Sequence, residues 1–306
     1  VATIAGPAVA TTTVPLSQAT RGVGELGVVA GLPDAVVAAF GVLTHLGNPW
    51  LLLAVLSLSY LLADRLDVSS TRLAVVLALG FGALALTMSL KYAFRLPRPP
   101  GAAADGYGFP SGHALGATVV YGGLAALFPS WPRRRALAFV GVAALVGISR
   151  IVIGVHYLVD VVAGAVVGAA FLAVVLALVG SRDRLSADDS ARAFDAALVV
   201  AVAGFALDAG LAGSLAVATD VLLGLGAALG GWVGWRLAGD AVETLSLPRP
   251  ALAANVVAVP VLVGLLRLVS ETSLGAAVHV GATAALVAAL VACPAVSHRL
   301  VVGRKS

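Results

Sequence analysis

The sequence predicts an all-α fold, a polytopic integral membrane bundle of about nine transmembrane helices. Hydrophobic residues make up 60% of the 306 positions and charged residues only 11%, whereas an average soluble domain has roughly 25% charged residues. The apolar residues lie in separate blocks of about 18 to 24, the length that a helix needs to cross a hydrocarbon core. Strands of a membrane β-barrel would alternate in polarity over ~10 residues, but residues 161–180 are apolar throughout.

Charged or proline-containing stretches separate these blocks and define the ends of the predicted helices. The clearest are DRLDVSSTR at 64–72, PSWPRRR at 129–135 and SRDRLSADDSAR at 181–192. The predicted helices lie near residues 49–64, 72–91, 113–128, 136–153, 157–180, 194–212, 215–237, 251–268 and 275–294.

The N-terminal region carries two predictions. Residues 1–32 are predicted to be a tail, and its beginning lacks the basic-then-apolar order of a signal peptide. The block 23–46 contains Glu25, Pro33 and Asp34, so it fits either a tenth span or an amphipathic helix that lies in the membrane interface. We favour the interfacial helix.

The basic residues are distributed unevenly between the two predicted sides of the membrane. One side collects Arg65, Arg72, Arg133, Arg134, Arg135, Arg182, Arg184, Arg192, Arg236, Arg249, Arg299, Arg304 and Lys305, and the other collects Lys91, Arg95, Arg98, Arg150 and Arg267. By the positive-inside rule, the richer side faces the cytoplasm. The sequence therefore predicts a multi-pass protein of the cell membrane with a cytoplasmic C-terminus.

Charge and cysteine content exclude other classes of protein. The net charge is +4, but the basic residues lie in short loops between apolar blocks rather than on one face, which argues against nucleic-acid binding. The single cysteine, Cys293, excludes an intrachain disulfide and argues against a thiolate metal site.

Polar residues form three clusters on the predicted outer side. The first is KYAFRLPRP at 91–99, which taken alone fits basic residues that anchor a helix end in the interface. The second is PSGH at 110–113. There Ser111 is a good N-cap and Gly112 permits close approach of the backbone, so the helix start offers N–H groups and a positive dipole end to an anion.

The third cluster is SRIVIGVHYLVD at 149–160. His156 and Asp160 are four residues apart and so share one helix face. The carboxylate can bind one ring nitrogen and leave the other free to attack. Asp160 could alternatively be a charge that favours the start of a helix, but an ionisable pair at the end of a membrane helix is costly unless it has a use.

The order of the helices places all three clusters on the same side of the membrane. Three cations, a helix N-terminus and two histidines can therefore surround one pocket. Such a pocket suits a phosphoryl group, because cations and backbone N–H donors neutralise the charge on its oxygens.

Together the clusters resemble the three-part signature of the type 2 phosphatidic acid phosphatase family, which is related to the vanadium haloperoxidases. The family pattern is Lys, six residues, Arg-Pro; then Pro-Ser-Gly-His; then Ser-Arg, five residues, His, three residues, Asp. The sequence keeps the order and every spacing. The resemblance covers residues 33–180, the predicted phosphatase core, and leaves 190–306 as additional transmembrane helices of unknown role.

The resemblance implies a role for each signature residue. His156 would be the nucleophile that forms a phosphohistidine, Asp160 the acid that orients it, and His113 the general acid. The phosphate would be held by Lys91, Arg98, Ser111, Gly112 and Arg150. The resemblance also implies a reaction without a metal ion or other cofactor, and the sequence has no carboxylate cluster suited to magnesium.

The expected substrate is a lipid phosphate or diphosphate in the bilayer, such as phosphatidic acid, phosphatidylglycerophosphate or a polyprenyl diphosphate. Three alternatives remain at this point. An alcohol could replace water as acceptor, which would make the protein a lipid phosphotransferase. Vanadate could occupy the pocket, as in a haloperoxidase. The chain could also be a transporter or structural membrane protein without enzymatic activity.

The C-terminal helices contain two further features. Three ionisable residues lie within or near their predicted spans, Asp208, Asp220 and His279, and such residues are functional candidates unless they lie exposed at helix ends. Glycine runs at 164–168, 226–230 and 230–234 permit close helix packing, either within the bundle or in a homodimer.

Overall fold

The computed structural model describes residues 21–180, 185–214, 217–242 and 247–302, and the regular structure of these residues is entirely helical. Its helices are α1 (Glu25–Ala30), α2 (Asp34–Leu43), α3 (Pro49–Leu61), α4 (Ser70–Phe94), α5 (Gly112–Leu127), α6 (Arg133–Val152), α7 (Leu158–Leu178), α8 (Ala187–Ala212), α9 (Thr219–Val242), α10 (Arg249–Glu271) and α11 (Ala276–Val302). A 3₁₀ turn, Thr44–Gly47, joins α2 to α3. The prediction of an all-α membrane bundle is confirmed.

Seven of the described helices are long and apolar enough to cross a membrane, namely α4 and α6 to α11. Each of the other predicted spans also corresponds to a helix, but α3 has only 13 residues and α5 only 16. The helical segment 34–47 and α3 follow each other directly, and the chain bends by 49° between them. The predicted helix start at 215 and residues 1–20 of the predicted tail lie outside the described residues.

Helix α4 lies at the centre of the bundle. It packs against α3, α5, α8 and α9, and most of its side chains are buried. Gly224 of α9 faces it so closely that a Cβ atom at this position would lie 2.8 Å from the Cα of Ala85. Because α4 is central, its last turn carries Lys91 to the middle of one end of the bundle.

Small residues allow two other helix pairs to approach closely. On α9, Gly226, Gly230 and Gly234 recur every four residues and face α11; a Cβ atom on Gly230 would lie 2.4 Å from the carbonyl oxygen of Ala284. On α7, Gly164 and Gly168 contact α5 in the same way. All three glycine runs are therefore used in packing within the chain, while a homodimer stays a prediction.

Helices α6, α7 and α10 lie at the outside of the bundle. They expose large apolar side chains, among them Leu137, Val140, Val162, Val166, Val174, Val257, Val261 and Leu268. Apolar surface of this extent would be unfavourable in water, and is expected where a helix faces lipid.

Candidate active site

The three polar clusters meet at one end of the bundle. Helix α4 ends there, α5 begins there, and the loop between α6 and α7 lies beside them. The backbone N–H of Ser111 donates to the carbonyl oxygen of Asp160 at 2.9 Å, which joins the second cluster to the third. Arg98 of the first cluster lies 3.0 Å from the ring of His156. One cavity is lined by Lys91, Arg98, Gly112, His113, Arg150 and His156.

The position of the first cluster is determined by the way in which α4 ends. Arg95 adopts a left-handed conformation with φ 52°, and the following prolines cannot continue a helix. The chain then folds back, because the N–H of Gly108 donates to the carbonyl oxygen of Leu96 at 2.7 Å. The Lys91 ammonium donates to the carbonyl oxygen of Tyr107, so this loop fixes the lysine at the cavity.

The second cluster forms the N-terminus of α5. Ser111 is its N-cap, and Gly112 lies against α4, where a Cβ atom would be 2.7 Å from Cγ2 of Thr87. Only glycine lets the helix start this close to Lys91. The first N–H groups of a helix have no partner within it, and with the positive dipole end they favour an anion beside His113.

In the third cluster, hydrogen bonding defines the tautomer of His156. Nη1 of Arg98 lies 3.0 Å from Nε2 of His156. A guanidinium can only donate, so Nε2 must accept and the ring proton must lie on Nδ1. Nδ1 is 3.5 Å from Oδ2 of Asp160 and has no hydrogen-bond partner among the described residues.

The surroundings of His156 also keep it neutral. The ring is 1% exposed, and its pKa is lowered from 6.5 to about 4. Burial is the main cause and cationic Arg98, Lys91 and Arg150 act in the same direction, whereas the neighbouring Asp160 carboxylate acts in the opposite direction. At neutral pH, Nε2 therefore keeps the lone pair that a nucleophile requires.

Asp160 also has a cationic neighbour, Arg21, that the sequence did not predict. Its Oδ1 lies 3.2 Å from Nε of Arg21, and the Arg21 guanidinium also lies 4.7 Å from the ring centroid of Tyr157 and donates to the carbonyl oxygen of Pro97. Nearby, Glu25 accepts a hydrogen bond from the N–H of Leu158 at 2.9 Å. The segment before α1 and the start of α1 are thus tied to the loop that holds His156.

The 3₁₀ turn supplies another unpredicted contact. Nη1 of Arg150 donates to Oγ1 of the buried Thr44 at 2.8 Å, which orients the guanidinium towards the cavity. Gly47, on the same turn, has room for no side chain, because a Cβ atom would lie 2.4 Å from Val146 and 3.3 Å from His113. Neither residue belongs to a motif, so no local pattern marks them.

The three C-terminal candidates have different environments. The hydroxyl of Tyr92 donates to Asp220 at 2.9 Å, and Asp208 lies 3.9 Å from Nη2 of Arg95. Both carboxylates therefore join α8 and α9 to the end of α4 beside the active site. His279 is fully buried on α11, and neither ring nitrogen has a hydrogen-bond partner among the described residues.

The cavity extends from these charged groups into the apolar interior and measures about 380 Å³. A smaller cavity of about 240 Å³ lies at the other end of α4, near Asp64 and Arg65, and no signature residue lines it. Among the described residues, no group of three or more His, Cys, Asp and Glu side chains could bind a metal ion.

Fold and site define a polytopic helical membrane protein with an oxyanion pocket built from histidines and cations. Residues 70–184 match the family model of the PAP2 superfamily. This segment contains the whole signature from Lys91 to Asp160, so the match confirms the predicted resemblance to the type 2 phosphatidic acid phosphatase family over this part of the chain. The match supports a phosphatase activity in general. Comparisons with curated proteins and with solved structures gave no match.

Proposed function

We propose that the protein is a membrane lipid phosphatase, which hydrolyses a lipid phosphomonoester or a polyprenyl diphosphate through a phosphohistidine intermediate. The observation that carries this proposal is a single cavity that joins the cationic pocket at Lys91, Arg150 and His156 to apolar side chains deep in the bundle. A lipid phosphate has the same two parts, a charged head and a hydrocarbon chain.

In the first step, the phosphate oxygens bind Lys91, Arg98 and Arg150 and the free N–H groups at the start of α5. Arg98 turns from Nε2 of His156 to a phosphate oxygen, which frees the lone pair. Nε2 then attacks phosphorus in line, the bond from phosphorus to the leaving oxygen breaks, and His113 protonates that oxygen. Asp160 stabilises the positive charge that develops on the ring of His156.

In the second step, His113 has lost its proton and acts as the base. It removes a proton from water, the water oxygen attacks phosphorus, and the bond between phosphorus and Nε2 breaks to release inorganic phosphate. His156 returns to its neutral form and His113 to its protonated form. The cations neutralise the oxygens throughout, so the proposed reaction needs no metal ion or cofactor.

We further propose that the active site lies on the extracytoplasmic side and that the C-terminus is cytoplasmic. The positive-inside rule supports this orientation, because the end of the bundle that carries the site has few basic residues besides those of the signature. An outward-facing site would suit a polyprenyl diphosphate, which is released on the outer leaflet after its glycan has been transferred.

The proposed function is tested by phosphate release from a panel of purified lipids. The panel contains phosphatidic acid, phosphatidylglycerophosphate and a polyprenyl diphosphate, each with and without an added alcohol. We expect phosphate release from at least one lipid, loss of turnover in His156→Ala, and normal turnover in the control His45→Ala, whose ring is exposed on the 3₁₀ turn. Transfer to the alcohol would favour a phosphotransferase, and no reaction with any lipid would contradict the proposal.

A further inference from the structure

An apolar cleft leads from the phosphate-binding end into the depth of the bundle. On α4 it is lined by Leu77, Gly80, Phe81, Leu84, Thr87, Met88 and Lys91. These residues recur every three or four positions and so form one face of the helix. Leu77 and Lys91 are 14 positions apart, and at 1.5 Å per residue the cleft is about 21 Å deep, well over half of a hydrocarbon core of roughly 30 Å.

The C-terminal helices form one wall of this cleft. Leu223 and Ala227 of α9 and Leu266 and Ser270 of α10 line it, and the opposite wall comes from the N-terminal part of the chain. That wall consists of Pro49, Trp50, Leu52, Leu53 and Leu56 of α3 with Gly116 and Val120 of α5. The cleft therefore lies between the part of the chain with the signature and the part without it.

The contacts of α9 with α4 hold this wall in place. Gly224 lies in contact with the backbone of Ala85, which leaves α9 no room to move closer. At the phosphate-binding end, the bond from Tyr92 to Asp220 joins the same two helices at 2.9 Å. Asp220 itself lines the cleft beside Lys91, so the polar end of the wall coincides with the polar end of the site.

From this arrangement we infer that α9 and α10 complete the binding site for the hydrocarbon chain of the substrate, which lies between them and α4. The inference rests on the proposed function and assigns a role to residues 190–306. We assign the cleft to a hydrocarbon chain because one cavity has the phosphate-binding side chains at one end and only apolar or small side chains at the other. A lipid bound by its phosphate at Lys91 has its chain directed into this space.

The test compares bulky substitutions on the cleft with the same substitutions on the lipid-facing surface of the same helices. Leu223→Trp and Leu266→Trp fill the cleft. Leu237→Trp on α9 and Leu268→Trp on α10 are their controls, because both leucines are more than half exposed. The measured quantity is kcat/KM for a long-chain lipid phosphate divided by kcat/KM for a short, water-soluble phosphate monoester.

We expect this ratio to fall about tenfold or more in the two cleft variants and to stay unchanged in the two controls. The soluble substrate reports whether the catalytic site remains folded. Equal ratios in cleft and control variants would overturn the inference while leaving the proposed function intact. If the wild-type protein hydrolysed neither substrate, the proposed function itself would fail.

Photolabelling of the unaltered protein covers the case in which the cleft variants do not fold. The probes are two lipid phosphonates with a diazirine at the end of the hydrocarbon chain, one diacyl and one polyprenyl. Labelled peptides from α9 or α10 would support the inference, and the more strongly labelling probe would identify the class of chain. Labels confined to other helices, or labelling that an excess of lipid phosphate does not reduce, would contradict it.

Discussion

Asp160 is shared between a histidine and an arginine. Its Oδ2 is 3.5 Å from His156 and its Oδ1 is 3.2 Å from Arg21, while the N–H of Tyr157 donates to Oδ2 at 3.0 Å. A buried carboxylate is costly unless it is paired. Arg21 supplies this pairing, and it also reduces the negative charge that His156 experiences.

Replacing Arg21 with alanine should therefore change the acid–base behaviour of His156. Without the guanidinium, the carboxylate attracts a proton on the imidazole more strongly, and we expect the pKa of His156 to rise from about 4 by about one pH unit. The measurement is kcat/KM of Arg21→Ala relative to wild type across pH 3 to 8, because the substrate's own ionisation cancels in the ratio.

Protonated His156 cannot attack phosphorus. The ratio of kcat/KM in Arg21→Ala to kcat/KM in wild type should therefore fall as the pH is lowered towards the raised pKa of His156. Arg21→Lys keeps the charge and should show a smaller shift. A ratio that stays constant across this range would show that Arg21 does not act on the nucleophile.

Sequence reasoning reached the residues of the signature because their chemistry and spacing are local. Their separation of four predicts that His156 and Asp160 lie close together, which is correct at 3.5 Å, although the expected common helix face is wrong because His156 lies in the loop before α7. The cap at Ser111 follows from the residue type. Arg21 and Thr44 contact the site through the tertiary fold, from 139 and 106 positions away. No local pattern marks them, so they could be found only in three dimensions.

Among the elements, α5 and α7 position the signature residues through glycine contacts. A Cβ atom on Gly164 would lie 2.5 Å from the carbonyl oxygen of Ser111 and 3.3 Å from the N–H nitrogen of Leu115. Both contacts are with backbone, which cannot move as a side-chain end can. The start of α5 therefore lies where it does because α7 has no side chain there.

We expect Gly164→Ala to displace the N-terminus of α5 and to destabilise the protein, since overpacking a core costs about 1–3 kcal/mol. Both the melting temperature and kcat/KM should fall. The matched control is Gly141→Ala on α6, where a Cβ atom meets nothing within 4 Å and alanine is the better helix former. Equal behaviour of the two variants would contradict the role of Gly164.

The apolar blocks predict which segments form helices, but they do not predict the lengths of the helices near the site. The block from 49 to 64 predicts a complete span, whereas α3 ends at Leu61 and is preceded by a bend of 49°. Asn48 defines the start of α3 after this bend, because its side chain accepts from the N–H of Trp50 at 2.9 Å. Hydrophobicity alone does not register such a cap.

At the scale of the molecule, the segment with the signature and the C-terminal helices form one packed bundle around α4. The sequence left residues 190–306 without a role because they contain no motif. Their contribution depends on the faces that α9 and α10 turn towards the cleft, and the face of α9 is defined by packing at Gly224 and by the hydrogen bond to Asp220.

The orientation of the bundle in the membrane can be tested with cysteine labelling, because Cys293 is the single cysteine. In a Cys293→Ala background, Ala103→Cys and Ser130→Cys each place one thiol at an exposed position in the loops before and after α5. An impermeant maleimide should label position 103 in intact cells and position 130 only after permeabilisation. The reverse pattern would place the active site on the cytoplasmic side.

The proposed mechanism requires a bond between phosphorus and His156, which is tested by locating the phosphoryl group during turnover. In His113→Ala, a phosphate ester whose leaving group needs no protonation should still phosphorylate the enzyme, while hydrolysis of the intermediate slows because its base is missing. Mass spectrometry of peptides kept at neutral to alkaline pH should then find the phosphoryl group on His156. A phosphoryl group on another residue, or full activity of His156→Ala, would contradict the proposed phosphohistidine mechanism.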